Sequence, residues 1–213
     1  MTGGAGPAGR VLAVVVHYGP WSSTERTLRS LSRTAPGAPV LVVDNSGETA
    51  VEGPVIGSGC RVLSAGRNLG YGAACNLAAR QGGGDFLLLL NNDVELLPGA
   101  VEALVEALDR EPRLAAAGPR LLDGRGRPLR SIGRAPSPRR VLFENLFLPR
   151  LFPGIPLFHG HHTALTSHAR ARDVETLSGA AVLLRRKAFE EIGGFDESYF
   201  FYAEESDLFE RLR

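Results

Sequence analysis

Three short runs of apolar residues, each followed by polar side chains, constrain the fold of this chain more than any other feature. The runs are VLAVVV at residues 11–16, VLVV at 40–43 and FLLLL at 86–90. A continuous apolar run of this length predicts a strand that is buried on both faces. Helical patterns lie between the runs, and this alternation predicts an α/β fold with a mostly parallel sheet and helices on both faces.

The helical patterns of the first half can be placed from their apolar spacing and their end residues. We expect a first helix that is capped by Ser22, Ser23 or Thr24 and buries Leu28 and Leu31. A weaker strand is predicted at residues 61–63, followed by a small-residue helix in AACNLAARQ. Pro98 suits the first turn of a third helix. The apolar residues that recur at helical spacing in this third helix are Val101, Leu104, Val105 and Leu108.

The second half has a different pattern, which predicts a smaller region of strands and loops. The segment LLDGRGRPLR predicts a hairpin between two strands. Residues 136–172 show no clear period and predict a long loop. A buried strand is expected over residues 176–184, then a short helix over 186–192 and a final helix in the acidic segment that follows. We expect residues 1–9 to form a loose tail and residues 10–213 a single domain, divided near residue 120.

Composition and charge exclude several classes of protein. The formal net charge of +1 provides no overall field for nucleic acid binding. Cys60 and Cys75 are the only cysteines, too few for a disulfide framework, so a reducing compartment fits best. The first nine residues lack the features of a signal peptide, and no apolar run approaches the roughly 20 residues of a spanning helix. We therefore expect a cytoplasmic protein.

Polar residues follow each of the three buried runs. Ligands bind beyond the carboxyl ends of the strands in open sheets of this type, so these residues should share one rim and form a site. They are His17 and Tyr18, Asp44 and Asn45, and Asn91, Asn92 and Asp93. Taken alone, Asp44 and Asn45 are more simply interpreted as a turn.

Two segments at this rim allow both a functional and an ordinary structural interpretation. Asp93 could bind Mg²⁺ or Mn²⁺, because one carboxylate together with substrate phosphates often suffices for these ions; alternatively, the NND segment forms a turn. The glycine-containing segment GRNLGYG at residues 66–72 precedes a helix and could present backbone N–H groups to phosphate. By itself, this glycine pattern is weak evidence.

The acidic segment near the end of the chain also allows two interpretations. Glu204, Glu205 and Asp207 could complement the dipole of a helix that begins there. The preceding aromatic residues YFFY instead suggest a partly desolvated carboxylate, whose pKa would rise toward that of a general base. The two interpretations stay open on the segment alone.

Residues 136–172 contain two further features of interest. Four histidines, at positions 159, 161, 162 and 168, lack the pattern of a structural zinc site and are interpreted as exposed loop residues. The nearby segment VLFENLFLPRLFPGIPLF is apolar. Buried packing explains it most simply, and the alternative is contact with a membrane surface or a lipid-linked acceptor.

Taken in order, the motifs resemble those of the inverting family 2 glycosyltransferases with the GT-A fold, in particular the bacterial rhamnosyltransferase-like branch. The matching segments are VVVHYG, VLVVDNS, GRNLGYGAACNLA, FLLLLNNDVELLPGAVEAL and LSGAAVLLRRKAFEEIGGFDESYFFYAEESDL. No single motif is decisive, but their ordered combination is highly specific. The resemblance covers the chain from about residue 11 to its end, except for residues 136–172.

The resemblance implies a role for each matching residue. NND corresponds to the metal-binding motif of the family, so Asp93 is the expected ligand of a divalent cation on the donor diphosphate. Glu205 corresponds to the general base, and Glu204 is its acidic neighbour. The expected substrate-binding residues are His17, Tyr18, Asp44 and Asn45 around the nucleoside, Arg67, Asn68 and Gly70 in the donor loop, Asn92 beside the metal ligand, and Ser178 and Gly179 near the acceptor.

The implied reaction moves a sugar from a nucleoside diphosphate donor to a hydroxyl of a glycan or lipid-linked acceptor, with dTDP-rhamnose as the leading donor. Two departures from the family pattern bear on whether the chain carries out this reaction. The family usually has aspartate where this chain has Glu205, and family members usually continue beyond the position of Arg213, so a truncated acceptor half stays open. A catalytically impaired nucleotide-sugar-binding protein is therefore an alternative. A sugar nucleotidyltransferase is a weaker one, because HYGPWSS lacks its triphosphate loop.

Overall fold

The computed structural model describes residues 7–47, 59–129, 131–133, 135, 137–152, 155 and 171–213 of the chain. The first described residues, Pro7–Arg10, form one turn of 3-10 helix rather than part of the expected loose tail. The histidines at positions 159, 161, 162 and 168 lie outside the described residues.

A six-stranded sheet forms the centre of the molecule, with the strand order β3-β2-β1-β4-β8-β5. The first four strands in this order are parallel, whereas β8 runs antiparallel to both β4 and β5. The predicted mostly parallel sheet is thus confirmed. The strands are β1 (Val11–His17), β2 (Val40–Asp44), β3 (Cys60–Ser64), β4 (Phe86–Asn91), β5 (Ala116–Ala117) and β8 (Ala181–Arg185).

Helices cover both faces of the sheet, as expected. On one face, α1 and α3 pack against Leu88 and Leu90 of β4; on the other, α2, α6 and α7 pack on the side of Leu87 and Leu89. All four leucines are fully buried, and burial of each contributes about 1.5–3 kcal/mol. This is why the run carries no polar residue before the rim. The helices are α1 (Trp21–Thr34), α2 (Tyr71–Gln81), α3 (Ala100–Arg110), α6 (Arg186–Glu191) and α7 (Glu204–Arg211).

The reversed direction of β8 matters for the site. Because β8 is antiparallel to β4, its amino end lies beside the carboxyl end of β4, where Leu90 pairs with Ala181. The segment that leads into β8, residues 178–180, therefore reaches the same rim as the ends of β1, β2 and β4. A second, two-stranded sheet of β6 (Ile132–Gly133) and β7 (Thr176–Leu177) adjoins this segment.

Several sequence expectations differ from the structure at element boundaries. Helix α1 begins at Trp21 after Pro20, so Ser22, Ser23 and Thr24 lie inside the helix and do not cap it. Pro20 at the N-cap position has the φ of −66° that its ring imposes, and its carbonyl accepts from the N–H of Ser23 at 3.1 Å. Likewise, α3 begins at Ala100 after a left-handed Gly99, so Pro98 precedes the helix.

The second half of the chain differs more from the sequence predictions than the first half does. The segment at 136–172 is not a continuous loop, because it contains α4 (Pro138–Asn145) and α5 (Leu148–Leu151). The strand expected over 176–184 is interrupted at 178–180, where β7 ends before β8 begins. The predicted hairpin is a tight turn closed by a single bridge between Leu122 and Pro128. Within the described part of the chain, no helix has both the length and the apolar character needed to span a bilayer.

Candidate active site

The carboxyl ends of three parallel strands bring the first polar residues together. His17 at the end of β1 pairs in register with Asp44 of β2, and Val16 pairs with Asn91 of β4. The side chains of His17 and Asp44 are only 3% and 2% exposed. The sequence prediction that these strand ends share one rim is correct.

His17 belongs to a small buried hydrogen-bond network. Its Nδ1 lies 2.7 Å from Oγ1 of Thr24, and its ring contacts the edge of Trp21 at a centroid distance of 5.1 Å. Burial lowers the pKa of His17, while the charge of Asp44 acts in the opposite direction. Asn92 joins the network by donating from Nδ2 to Oγ1 of Thr24 and, at 2.8 Å, to the carbonyl of Tyr18. The network therefore fixes the loop after β1, and the Tyr18 side chain stays 60% exposed.

Asp44 has one satisfied and one unsatisfied carboxylate oxygen. Its Oδ1 accepts hydrogen bonds from the backbone N–H and the hydroxyl of Ser46, at 3.1 and 2.6 Å. Its Oδ2 is buried and has no hydrogen-bond partner among the residues that the structure describes. An unpaired buried carboxylate oxygen is costly, so this atom is available for a donor group on a ligand.

Asn45 and Asn68 hold the glycine-containing loop in place. Asn45 donates from Nδ2 to Oδ1 of Asn68 at 3.0 Å and accepts from the N–H of Leu69 at 2.8 Å. Asn68 in turn accepts from the N–H of Gly70 at 2.9 Å. The amide groups are thus engaged with each other and with the loop backbone. Arg67, in contrast, is exposed, and the loop backbone beside it lies close to Gly47.

Asp93 presents an exposed carboxylate just beyond the end of β4. The two preceding asparagines have other partners, because the N–H of Asn91 donates to Ala180 and the side chain of Asn92 belongs to the His17 network. Among the described residues, no group of three or more His, Cys, Asp or Glu side chains is arranged to hold a metal ion. Any divalent cation here would take one protein carboxylate and complete its shell from substrate or water, an arrangement that Mg²⁺ tolerates well.

The interruption between β7 and β8 gives residues 178–180 contacts to three different elements. The N–H of Ser178 donates to the carbonyl of Ser131, and the Ala180 carbonyl accepts from Asn91 at 2.9 Å. The carbonyl of Gly179 accepts from the hydroxyl of Tyr71 at 3.0 Å. This segment therefore connects the end of β4 with the first residue of α2.

Glu205 lies against this segment. A Cβ atom added at Gly179 would collide with Oε1 of Glu205, so the carboxylate occupies space that only glycine leaves open. Burial raises the pKa of Glu205, and repulsion from Glu204 adds to the rise, whereas a hydrogen bond from the Gly179 backbone lowers it. Glu204 is 5% exposed, and its Oε2 has no hydrogen-bond partner within the described residues. The raised pKa makes the Glu205 carboxylate a stronger proton acceptor than an exposed glutamate would be.

The loop before α7 has an uncommon conformation. Tyr202 and Ala203 both have positive φ angles, 65° and 69°, which are unfavourable for residues with a side chain. The preceding rings are exposed, with Phe201 at 67% and Tyr202 at 74%. The two left-handed residues turn the chain so that α7 begins with Glu204 and Glu205 facing inward.

Sequence reasoning missed residues whose roles depend on contacts distant in sequence. Thr24 was expected only as a cap, yet it joins His17 to Asn92. Tyr71 was placed in the glycine-containing segment at residues 66–72 and Asn76 in the small-residue helix, although both contact residues more than 100 positions away. A Tyr and an Asn among small residues were the available sequence evidence.

A match to a known family accounts for this arrangement. A family model described as glycosyl transferase family 2 matches residues 12–193. The chain belongs to this family. The family assignment confirms the sequence-based resemblance and shows that the protein is a glycosyltransferase.

Relatives agree with this assignment. The chain is 35% identical over 213 residues to the N-acetylglucosaminyl-diphospho-decaprenol L-rhamnosyltransferase of Mycobacterium tuberculosis H37Rv, covering 93% of this chain and 69% of that protein. It is 25% identical over 205 residues to the low-salt glycan biosynthesis hexosyltransferase Agl10 of Haloferax volcanii, covering 94% and 60%.

Solved structures share the fold. The mannosyltransferase PcManGT of Pyrobaculum calidifontis, in complex with GDP-Man and Mn²⁺, superposes with a TM-score of 0.58 at 17% identity, covering 93% of this chain and 50% of that one. Staphylococcus aureus TarS 1–349 in complex with UDP superposes with a TM-score of 0.62 at 18% identity, covering 94% and 54%. The chain thus spans about half the length of these structures, and the predicted GT-A fold is confirmed.

Proposed function

We propose that this glycosyltransferase moves a sugar from a nucleoside diphosphate donor to a hydroxyl of a glycan or lipid-linked acceptor, with inversion at the anomeric carbon. The observation that carries the proposal is the Glu205 carboxylate, which is desolvated against Gly179 at the rim shared with Asp93. The name of the mycobacterial relative supports rhamnose as the sugar and a diphosphate-linked lipid as the acceptor class. dTDP-rhamnose is the proposed donor.

The nucleoside end of the donor is assigned to the first two strand ends. The buried Oδ2 of Asp44, which has no hydrogen-bond partner in the described part of the chain, accepts a hydrogen bond from the base or ribose. The exposed ring of Tyr18 covers the nucleoside. His17 is neutral at this position because burial lowers its pKa, and it holds the loop rather than adding a charge. Asn45 supports the site indirectly by fixing the donor loop.

The donor diphosphate is assigned to the loop at residues 66–70 and to Asp93. Arg67 is exposed and can reach a phosphate, whereas Asn68 and Gly70 set the course of the backbone. A divalent cation, Mg²⁺ or Mn²⁺, fits the single exposed carboxylate of Asp93 and would neutralise charge on the leaving diphosphate when bound. Asn92, next to Asp93, holds the loop after β1 through its hydrogen bond to the Tyr18 carbonyl, and it adds no negative charge near the donor.

Glu205 is the proposed general base. Its carboxylate takes the proton of the acceptor hydroxyl, whose oxygen forms a bond to the anomeric carbon. The bond from that carbon to the diphosphate oxygen breaks, and the nucleoside diphosphate leaves with the electron pair. Glu204 is less suited to this role because it is almost fully buried, and its charge instead helps raise the pKa of Glu205. Ser178 and Gly179 border the space in which the acceptor hydroxyl would lie.

The reaction can be tested with a panel of donors. The purified protein is incubated with dTDP-rhamnose and with UDP-, GDP- and dTDP-sugars, in Mn²⁺ or in EDTA, and the nucleoside diphosphate released is identified by mass spectrometry. We expect metal-dependent release from one donor and its loss in the Asp93→Ala and Glu205→Gln variants. Asp85→Asn is a matched control, since Asp85 forms a surface ion pair with Arg10 before β4, at its opposite end.

The outcomes separate the alternatives. Donor binding without turnover, even with diphosphate-linked lipid acceptors present, would favour a catalytically impaired nucleotide-sugar-binding protein, as the glutamate at position 205 allows. Turnover that is equal in EDTA would exclude the proposed role of Asp93. Failure to bind any nucleotide would overturn the proposal.

We also propose that the surface of α4 and α5 contacts a membrane at its cytoplasmic face, where a lipid-linked acceptor would be presented. Exposed apolar side chains occur throughout these two short helices and the residues after them, and Arg139 and Arg150 are exposed beside them. Apolar residues flanked by arginine favour an anionic lipid surface. The exposed apolar residues of this α4–α5 surface are Val141, Leu142, Leu146, Phe147, Leu151 and Ile155.

Sedimentation with vesicles of phosphatidylglycerol and phosphatidylcholine tests this contact. We expect the wild-type protein to sediment with these vesicles and the Leu142→Glu/Leu146→Glu variant to remain in the supernatant. Leu129→Glu is the matched control, because Leu129 is exposed but lies outside α4 and α5. Equal sedimentation of all three proteins, or none, would contradict a contact through this surface.

A further inference from the structure

We propose that Tyr71 is a positioning residue for the general base, acting through the backbone of Gly179. This inference rests on the proposed function of Glu205. The hydroxyl of Tyr71 donates to the Gly179 carbonyl at 3.0 Å, and the Glu205 carboxylate lies against the same glycine, in the space that a Cβ would fill. One residue at the start of α2 therefore holds the backbone against which the base packs.

The hydrogen bond from Tyr71 to Gly179 has a specific role in orienting the glycine backbone. Gly179 has no side chain to fix its orientation, and the carboxylate of Glu205 fills the space where one would be. Its neighbours are fixed by other elements, Ser178 by Ser131 and Ala180 by Asn91. The Gly179 peptide between them has Tyr71 as the side-chain donor to its carbonyl. Without the hydroxyl, the Gly179–Ala180 peptide loses this side-chain partner, and the glycine backbone against which the Glu205 carboxylate packs can shift.

The position of Tyr71 links this effect to the donor loop. Tyr71 directly follows the loop at residues 66–70, and a Cβ at Gly70 would collide with the backbone carbonyl of Phe200, close to the base in sequence. The ring of Tyr71 contacts Phe195 edge-on at a centroid distance of 6.1 Å. The ring thus provides packing, and the hydroxyl provides the contact to Gly179, so the two contributions can be separated by one substitution.

The charged and titratable groups around Glu205 determine in which direction its pKa should change when the Tyr71 hydroxyl is removed. Glu204 on the same helix repels its charge, and Tyr71 and Cys75 on α2 face it. Burial raises the pKa values of both Tyr71 and Cys75, so these groups stay protonated and neutral near pH 7. The hydrogen bond from Gly179 is what lowers the pKa of Glu205. Loss of that bond should therefore raise the pKa of the base further.

The Tyr71→Phe variant tests the proposal, with Tyr199→Phe as the matched control from the loop before α7. We expect Tyr71→Phe to lower kcat roughly tenfold, in line with the cost of a small misplacement of a catalytic group, and to move the acidic limb of the rate profile to higher pH. The dissociation constant of the donor should stay unchanged.

A readout that needs no turnover separates this inference from the proposed function. The carboxyl carbon of Glu205, assigned by its loss in Glu205→Gln, is titrated by carbon-13 NMR in the wild-type and Tyr71→Phe proteins. A higher pKa in Tyr71→Phe, with Tyr199→Phe unchanged, supports the positioning role even if no donor is turned over. An unchanged or lower pKa overturns it.

Discussion

Asn76 binds both backbone polar groups of Phe195. Its Oδ1 accepts from the N–H and its Nδ2 donates to the carbonyl, each at 2.9 Å. The side-chain amide thus acts as a strand partner would, and it does so from the middle of α2. Because Asn76 is 4% exposed, water does not replace these bonds. The contact fixes the turn at residues 194–197, from which the chain continues to the base.

Removing this amide should destabilise the protein. Asn76→Ala leaves two buried backbone groups without these partners, and each such group costs about 1–3 kcal/mol, so we expect the free energy of unfolding to fall by roughly 2–6 kcal/mol. Urea denaturation measures the change. Gln81→Ala is the control on the same helix, because Gln81 is exposed, and it should have little effect. Equal stability of the two variants would show that the Phe195 contact contributes little.

The left-handed conformation of Ala203 should make glycine stabilising at this position. Ala203 has a φ of 69°, and glycine adopts this region without the cost that a Cβ imposes, about 1–2 kcal/mol. Ala203→Gly should therefore raise the free energy of unfolding by about 1 kcal/mol. The control Ala103→Gly lies on the exposed side of α3 and should lower it by a similar amount. The prediction fails if both substitutions destabilise the protein.

Glu205 should destabilise the folded protein near neutral pH. Its pKa is raised on folding, so below pH 4.5 the carboxyl is neutral in both states and has little effect on stability. As the pH rises through the raised pKa, the folded state must ionise a desolvated group, and stability is lost. Glu205→Gln should thus be more stable than the wild type at pH 7 to 8, and this advantage should disappear near pH 4. Denaturant titrations across this range measure the difference; an advantage independent of pH would contradict the assignment to ionisation.

Nucleotide affinity should depend on Asp44. Its Oδ2 is buried and unpartnered within the described residues, so a ligand donor there would form a hydrogen bond to a charged acceptor worth about 1.5–3 kcal/mol. Asp44→Asn should weaken nucleoside diphosphate binding roughly 10- to 100-fold by isothermal titration calorimetry. Asp85→Asn should bind like the wild type, since Asp85 lies before β4, at the end opposite the rim. Unchanged binding in Asp44→Asn would remove Asp44 from the nucleoside site.

Sequence reasoning located the strand ends because their pattern is local. The apolar runs before His17, Asp44 and Asn91 are continuous, and the parallel arrangement then places those residues on one rim. The family resemblance supplied the base and the metal ligand. Both roles stay predictions, as do the substrate contacts, but the structure does bring Glu205 to Gly179.

Other features could not be predicted because they depend on contacts between distant residues. Asn45 and Asn68 have amides that suit either a ligand or another amide, and only the folded loop shows that they bind each other. The helices α4 and α5 were missed because their apolar residues are largely exposed and give no clear helical period. The cap of α1 was misplaced because the helix begins at Trp21, before the three hydroxyl residues that were candidates for the cap.

The contacts of α2 have a consequence for any exchange of parts between related enzymes. This helix follows the proposed donor loop in sequence, yet Tyr71 and Asn76 are hydrogen-bonded to Gly179 and Phe195 in the proposed acceptor half. The boundary predicted near residue 120 therefore does not separate the contacts of α2 from the second half of the chain. A chimera that takes its second half from a relative with another specificity should carry that relative's residues 70–80 as well, because both hydrogen bonds would otherwise join residues from different parents.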